Sequence, residues 1–99
     1  MIERQLDSMR SEIAGERPSP LELLLTERVV ATWLQVQLFE GLHATGIGKH
    51  TLAQGTYSQK RLDRAHRNHL SAIHSLAQIR KIGPAVQSNI TEKQINTTG

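Results

Sequence analysis

Histidines are the residues of this 99-residue chain whose type and spacing first suggest chemistry, and there are five of them. His66 and His69 lie three residues apart on a predicted helix, a spacing that brings two imidazoles toward one metal ion. His74 projects in another direction and does not supply a third ligand at matching spacing. Because a structural zinc site needs four ligands, we expect no bound metal or other cofactor.

The segment from Gly46 to Thr51 (Gly-Ile-Gly-Lys-His-Thr) is partly similar to a phosphate-binding loop. In that loop, Gly-x4-Gly-Lys-Ser/Thr, successive backbone amides cradle phosphate while the hydroxyl reaches a metal. Here His43 replaces the leading glycine and His50 occupies the hydroxyl position. No strand is predicted before the segment. It is therefore interpreted as a connector between helices.

A basic stripe is a further candidate binding site. Lys60, Arg64 and Arg67 follow i, i+4, i+7 spacing on one face of a predicted helix, and Arg61 lies at its edge. Such a stripe can lie along a duplex phosphate backbone, in agreement with a pI near 9.8. Aromatic residues for stacking on single strands are absent from the stripe apart from Tyr57.

The alternative for this stripe is a solvated or ion-paired surface. Residues 57–82 hold six basic and one acidic residue, whereas residues 1–44 hold seven acidic and four basic residues. Helices of opposite charge that pack side by side form surface ion pairs, each of small energetic value.

Length and composition restrict the class of protein. Only 37% of the residues are hydrophobic, and the absence of cysteine excludes a disulfide scaffold and a thiol nucleophile. The serines lie in turn, cap or polar-helix contexts, so we expect no enzymatic activity. No apolar run approaches the roughly 20 residues that span a bilayer, and no targeting segment is apparent. We therefore expect a cytoplasmic protein without a membrane partner.

Hydrophobic periodicity predicts an all-α fold. Residues 2–14 form a first helix with one apolar stripe and Gly15 as its C-cap. Residues 16–20 form a linker. Ser19 as N-cap, Pro20 at the first helical position and Glu22 three residues after the cap predict the start of a second helix that runs to about residue 44.

The second helix is apolar on two sides. One stripe contains Leu23, Val30, Ala31, Leu34, Leu38 and Leu42, and the other contains Leu21, Leu25, Val29, Trp33, Val36 and Phe39. A helix that is apolar on two sides is packed on two sides, and a chain of this length has few residues to cover both. We therefore expect a homo-oligomer with an interface formed by Leu25, Val29, Trp33, Val36 and Phe39.

Three glycines predict a connector over residues 45–56, followed by a third helix over residues 57–82 that stops before Gly83 and Pro84. Its predicted apolar face contains Leu62, Ala65, Leu70, Ile73, Leu76 and Ala77, with His69 at the centre. The expected architecture is a long antiparallel helical hairpin with a short N-terminal helix. Residues 1–85 form one domain, and residues 86–99 form an extended or disordered polar tail.

Several segments carry a resemblance to known proteins. They are Arg-Leu-Asp-Arg-Ala-His at 61–66, Leu-Ala-Gln-Ile-Arg-Lys at 76–81, the polar run at 86–96, Pro-Ser-Pro-Leu-Glu at 18–22 and Trp-Leu-Gln-Val at 33–36. Together they resemble small uncharacterised bacterial helical-hairpin proteins with a polar tail. The pattern is loosely similar to phage terminase small subunits, which are oligomeric helical DNA-binding proteins. Neither resemblance supplies a site residue.

Two functions follow from these observations. The first is a self-associating structural or adaptor protein whose partner is a second copy of itself. The second is a nucleic-acid-associated accessory protein of a phage or mobile element that contacts the duplex backbone through Lys60, Arg61, Arg64 and Arg67.

Overall fold

The protein is all-helical in the computed structural model, which describes residues 2–46, 48–83, 86–87, 89–90 and 92–93. Three helices follow in chain order: α1 (Ile2–Ala14), α2 (Pro20–Gly46) and α3 (Leu52–Arg80). None of the described residues lies in a β-strand. Within the same residues, no helix combines the length and the apolar character that crossing a membrane requires.

The first helix follows the prediction at both ends. It stops at Gly15, whose φ of 81° is readily adopted by glycine and whose amide donates to the Ser11 carbonyl at 3.2 Å. No residue of α1 is fully buried. Ile13, which is half-buried, packs against a small core formed by Val29, Ala72 and Leu76. The helix is therefore shallowly docked on the other two.

The second helix begins at the predicted cap. The Ser19 hydroxyl accepts a hydrogen bond from the Glu22 amide at 3.2 Å and donates to the side-chain carbonyl of Gln87. Pro20 is the first helical residue, as predicted. The helix ends at Gly46, two residues beyond the predicted boundary at residue 44.

The third helix begins five residues earlier than predicted, at Leu52 instead of residue 57. The Thr51 hydroxyl accepts from the Gln54 amide at 3.1 Å, and the Gln54 side chain accepts from the Thr51 amide at 2.9 Å. This reciprocal capping box stabilises the first turn. Gly55 contributed to the prediction of a connector over residues 45–56, but it lies inside the capped helix. That prediction was therefore wrong for residues 52–56.

The connection between α2 and α3 is a tight turn. The amides of Lys49 and His50 both donate to the Gly46 carbonyl, at 3.0 and 3.1 Å. Gly48 has a φ of 81°, which favours glycine. The His50 ring lies so close to Gly46 that a Cβ there would be 2.2 Å from it. The Lys49 and His50 amides, which a phosphate-binding loop would offer to phosphate, therefore donate within the turn instead.

The second and third helices pack along each other with reversed chain direction. Thr32 contacts His69, and eleven residues further along α2, His43 contacts Ser58, eleven residues earlier in α3. The buried residues of α3 recur at intervals of four, three, seven and four: Ser58, Leu62, Ala65, Ala72 and Leu76. This is the seven-residue repeat of helices that pack lengthwise. We call this contact the α2–α3 seam.

The apolar face predicted for the third helix is buried in part, since Leu62, Ala65 and Leu76 are buried as predicted. Leu70 is 64% exposed and Ile73 is 43% exposed, whereas Ser58 and Ala72 are buried. At 100° per residue Leu70 lies about 140° around the helix from Ala65 and about 120° from Leu76, so it falls outside the seam. The α2–α3 seam also contains the small residues Ser58, Ala65 and Ala72, which let the two backbones approach.

The C-terminal segment was predicted to be extended or disordered over residues 86–99. Its described residues, 86–87, 89–90 and 92–93, are helical, and residues 94–99 lie outside the described part. Gln87 is only 3% exposed, and its side-chain amide donates to the carbonyls of Ile79 and Ile82 at 3.0 and 3.1 Å. Gln87 thereby satisfies backbone acceptors at the end of α3.

Arg80 connects all three helices at the same end of the molecule. Its guanidinium donates to the carbonyls of Ile13 and Ala14 at the end of α1 and lies 3.5 Å from the Glu22 carboxylate. A cation at a helix C-terminus also interacts favourably with the helix dipole. Burial raises the pKa of Glu22, but hydrogen bonds with Gln87, Ser19 and Arg80 outweigh this effect and the pKa is lowered overall.

Replacing Ser19 by alanine tests this end of the molecule. The Ser19→Ala variant loses the acceptor for the Glu22 amide, so its free energy of unfolding should fall by about 0.5–2 kcal/mol in chemical denaturation. The control is Ser71→Ala, at an exposed position within α3. Equal stability of the two variants would contradict a structural role for the cap.

Candidate interaction surfaces

The residues predicted to form an interface between chains pack inside a single chain. Val29 and Val36 are 5% and 4% exposed, and Leu25 packs against the core cluster that includes Val29. Trp33 is half-buried and lines a cavity shared with α1, while Phe39 is half-buried beneath Arg61. These five side chains are therefore used by α1 and α3 of the same molecule.

Most of the other stripe of α2 is exposed, except Val30, which is 2% exposed. Leu34, Leu38 and Leu42 of this stripe are 37%, 56% and 44% exposed, and Ala31 is exposed as well; the neighbouring Leu24 is 61% exposed. At 100° per residue, Leu24, Ala31, Leu34, Leu38 and Leu42 fall within about 80° of one another around α2, and we call them the outer face of α2. Exposed apolar residues that line up along a helix are typical of an interaction surface, whereas single ones are not.

The outer face is also free of charge over most of its length. No charged residue occurs between Arg28 and Glu40, a stretch of eleven residues that makes three helical turns. A helix face in contact with water normally carries Lys, Arg, Glu or Asp. The middle of α2 therefore has the composition of a helix covered on both sides.

The predicted basic stripe lies on α3. Lys60, Arg64 and Arg67 are exposed and lie on the side of the helix opposite to Leu62 and Ala65, which face α2. Across the described part of the chain, none of the three basic side chains forms an ion pair or a side-chain hydrogen bond. Their charges are available to an anionic partner.

Arg61, which the sequence placed at the edge of this stripe, has a different environment. It is half-buried, and its guanidinium lies 4.6 Å from the ring centroid of Phe39 and 5.8 Å from that of Tyr57. A guanidinium over an aromatic face is attracted by the electrons of the ring. Arg61 thus connects α3 to α2. Its Nε is buried, with no hydrogen-bond partner among the residues that the structure describes.

The two histidines with metal-ligand spacing contact different groups. His66 lies 3.3 Å from the Glu40 carboxylate, whereas His69 lies 2.8 Å from the Thr32 hydroxyl. In the residues that the structure describes, no group of three or more His, Cys, Asp or Glu side chains is placed to hold a metal ion. Both histidines act as contacts between α3 and α2.

Two polar pairs lie within the α2–α3 seam. Thr32 is 6% exposed, and its hydroxyl lies within hydrogen-bond distance of the Arg28 and Val29 carbonyls as well as of His69. Ser58 is 4% exposed and lies 2.9 Å from Nδ1 of His43. Burial of the hydroxyl makes Ser58 a packing residue and not an accessible nucleophile.

Comparisons of the chain with protein-family models, with curated proteins and with solved structures find no significant match. The functional argument therefore depends on the two surfaces described above. These are the outer face of α2 and the basic stripe of Lys60, Arg64 and Arg67.

The environment of His69 predicts the pH dependence of stability. Burial lowers the pKa of His69 below its ordinary value of 6.5; the neighbouring His66 lowers it further, and a hydrogen bond with the Val29 backbone opposes both effects. The unfolded chain therefore binds more protons than the folded one in this range. The free energy of unfolding should be highest above pH 6.5, decrease as the pH falls to the lower pKa of the folded state, and then level off with respect to this group.

Substitution of His69 by leucine should remove this component of the pH dependence. The measurement is urea denaturation at a series of pH values, and the control is His74→Gln at an exposed position of the same helix. If the His69→Leu variant kept the pH profile of the wild type while His74→Gln changed it, the assignment to His69 would be wrong.

Proposed function

We propose that this chain is a self-associating helical protein with a structural or adaptor role and no catalytic activity. In this proposal α2 and α3 form a helical hairpin that a second copy completes. The observation that carries the proposal is the outer face of α2, where Leu24, Leu34 and Leu38 are 61%, 37% and 56% exposed along one side of a helix. Covering this face removes apolar area from water, which is favourable by about 25 cal/mol per Å².

The size of the outer face indicates how strong the association is. From Leu24 to Leu42 the helix rises by about 27 Å, and a strip of helix width along this length covers on the order of 300 Å² per copy. A standard interface buries about 800 Å² per partner. The proposed association is therefore concentration-dependent, with dissociation in the micromolar range or weaker.

A charge placed on the outer face tests the proposal. Leu38→Glu should lower the mass of the protein in solution to that of one chain, because pairing would bury a carboxylate, while the helical content stays the same. The measurement is sedimentation equilibrium across a range that includes tens of micromolar, together with circular dichroism. The control is Leu70→Glu on α3, where the leucine is 64% exposed and off the outer face.

A second substitution separates the two stripes of α2. Val29 is 5% exposed inside the molecule, so Val29→Glu should reduce stability and helical content instead of only dissociating the protein. A wild-type mass of one chain at all concentrations tested would overturn the proposal of self-association.

The alternative function is contact with duplex nucleic acid through the basic stripe. It is favoured by a specific observation, the exposure of Lys60, Arg64 and Arg67 without ion-pair partners in the described residues. Since the stripe is on α3 and the outer face is on α2, the two surfaces do not compete. Arg61 contributes less directly, because its guanidinium is held against Phe39.

Replacing Lys60, Arg64 and Arg67 together by glutamine tests this alternative. If each residue contacts about one phosphate, the slope of log affinity against log salt should decrease in magnitude by about 2–3, with helical content unchanged. The control replaces Arg4, Arg17 and Lys49, which are also exposed, and removes the same charge elsewhere. Failure of the wild type to bind duplex DNA at low salt would rule out this function.

A further inference from the structure

We propose that two copies of this chain pair their α2 helices antiparallel about a two-fold axis, with Leu34 of one copy against Leu38 of the other. This inference rests on the proposed self-association and specifies its geometry. It is carried by the spacing, the side-chain sizes and the charges of the outer face of α2.

The spacing of the outer face is that of a helix pair. Three residues of the outer face, Ala31, Leu34 and Leu38, and the adjacent Gly41 follow one another at intervals of three, four and three residues. The same alternation of three and four occurs in the α2–α3 seam, where reversed chain direction is already in use. The outer face of α2 therefore has the repeat needed to pack lengthwise on a second helix.

The sizes of these side chains select a register. With Leu34 placed against Leu38 of the other copy in antiparallel order, Ala31 falls opposite Gly41. Space is open at Gly41, where an added Cβ would meet no atom within 4 Å. The interface then has two leucine contacts at its centre and, on either side, an alanine that faces a glycine. These small residues let the backbones approach closely.

Charge disfavours the parallel alternative. Glu27 lies on the outer face between Leu24 and Ala31, and Arg10 of the same chain lies 2.8 Å from its carboxylate. Parallel pairing in register would place the two Glu27 carboxylates opposite each other and remove water from both ion pairs, which is costly. Antiparallel pairing moves Glu27 to the end of the interface, opposite Thr45 of the other copy, because α2 ends at Gly46. Both Glu27 carboxylates then remain in contact with water.

Spin labels on single cysteines distinguish the two orientations, since the wild-type chain has no cysteine. One label replaces Leu23, which is 47% exposed beside the outer face, and the other replaces the exposed Gln35. In the antiparallel pair the two Leu23 positions are separated by about 39 Å along the helix axis, and the two Gln35 positions by only about 3 Å. In a parallel pair both separations are close to the distance between helix axes, about 8–10 Å.

Pulsed electron paramagnetic resonance measures these distances. We expect a short distance for the Gln35→Cys label and a long one for the Leu23→Cys label. Short distances at both positions would overturn the antiparallel geometry and leave self-association intact. A dimer mass with a long distance at Gln35→Cys would place the interface on another face and overturn the inference. A one-chain mass without dipolar coupling would overturn the proposed function as well.

Two controls keep the experiment decisive. Adding Leu38→Glu to the Gln35→Cys chain should abolish the short distance, and its persistence would show that the contact does not use the outer face. If the label at Gln35 itself prevents association, Gln37→Cys provides a second position near the axis. Circular dichroism of each labelled chain checks that helical content equals that of the wild type.

Discussion

The register of α2 against α3 is the constraint on which the rest of the molecule depends. It is set by two polar pairs, Thr32 with His69 and His43 with Ser58, in a seam otherwise lined by apolar residues of different sizes. A shift of one helix along the other would leave a buried hydroxyl without its partner, at a cost of about 1–3 kcal/mol per unsatisfied group. Apolar contacts alone would tolerate such a shift, because alanine and valine in neighbouring turns offer similar surfaces. The polar pairs therefore fix a single alignment.

This alignment determines which residues remain outside. With Thr32 and Val36 turned toward α3, the leucines of the outer face stay 37–61% exposed, while α1 covers the flank that carries Trp33. On α3 the same geometry turns Lys60 and Arg64 away from α2. The exposure of the outer face and that of the basic stripe both follow from the packing of α2 against α3. The two surfaces lie on different helices.

The start of α2 was predictable because Ser19, Pro20 and Glu22 act locally, and the end of α1 was predictable from Gly15. The start of α3 was not predicted correctly. Its capping box, Thr51 with Gln54, is equally local, but the nearby glycines favoured a connector. Which side chains of α2 pack inside the chain was not predictable from α2 itself, because both stripes are apolar. The exposed positions of Lys60, Arg64 and Arg67 agree with the helical spacing, whereas the contact of Arg61 with Phe39 joins distant parts of the sequence.

The distribution of side-chain sizes connects this packing to the proposed assembly. The seam buries Ala65, Ala72 and Thr32, while Leu24 and Leu38 are more than half exposed. Burial of a leucine stabilises a fold more than burial of an alanine, in proportion to the apolar area removed from water. Although Leu21, Leu62 and Leu76 are buried, the leucines of the outer face leave apolar area in contact with water. A chain of 99 residues has little core to spare, and α1 contributes no fully buried residue. Pairing of the outer faces would bury this apolar area without disturbing the seam, since the leucines of the outer face lie outside it.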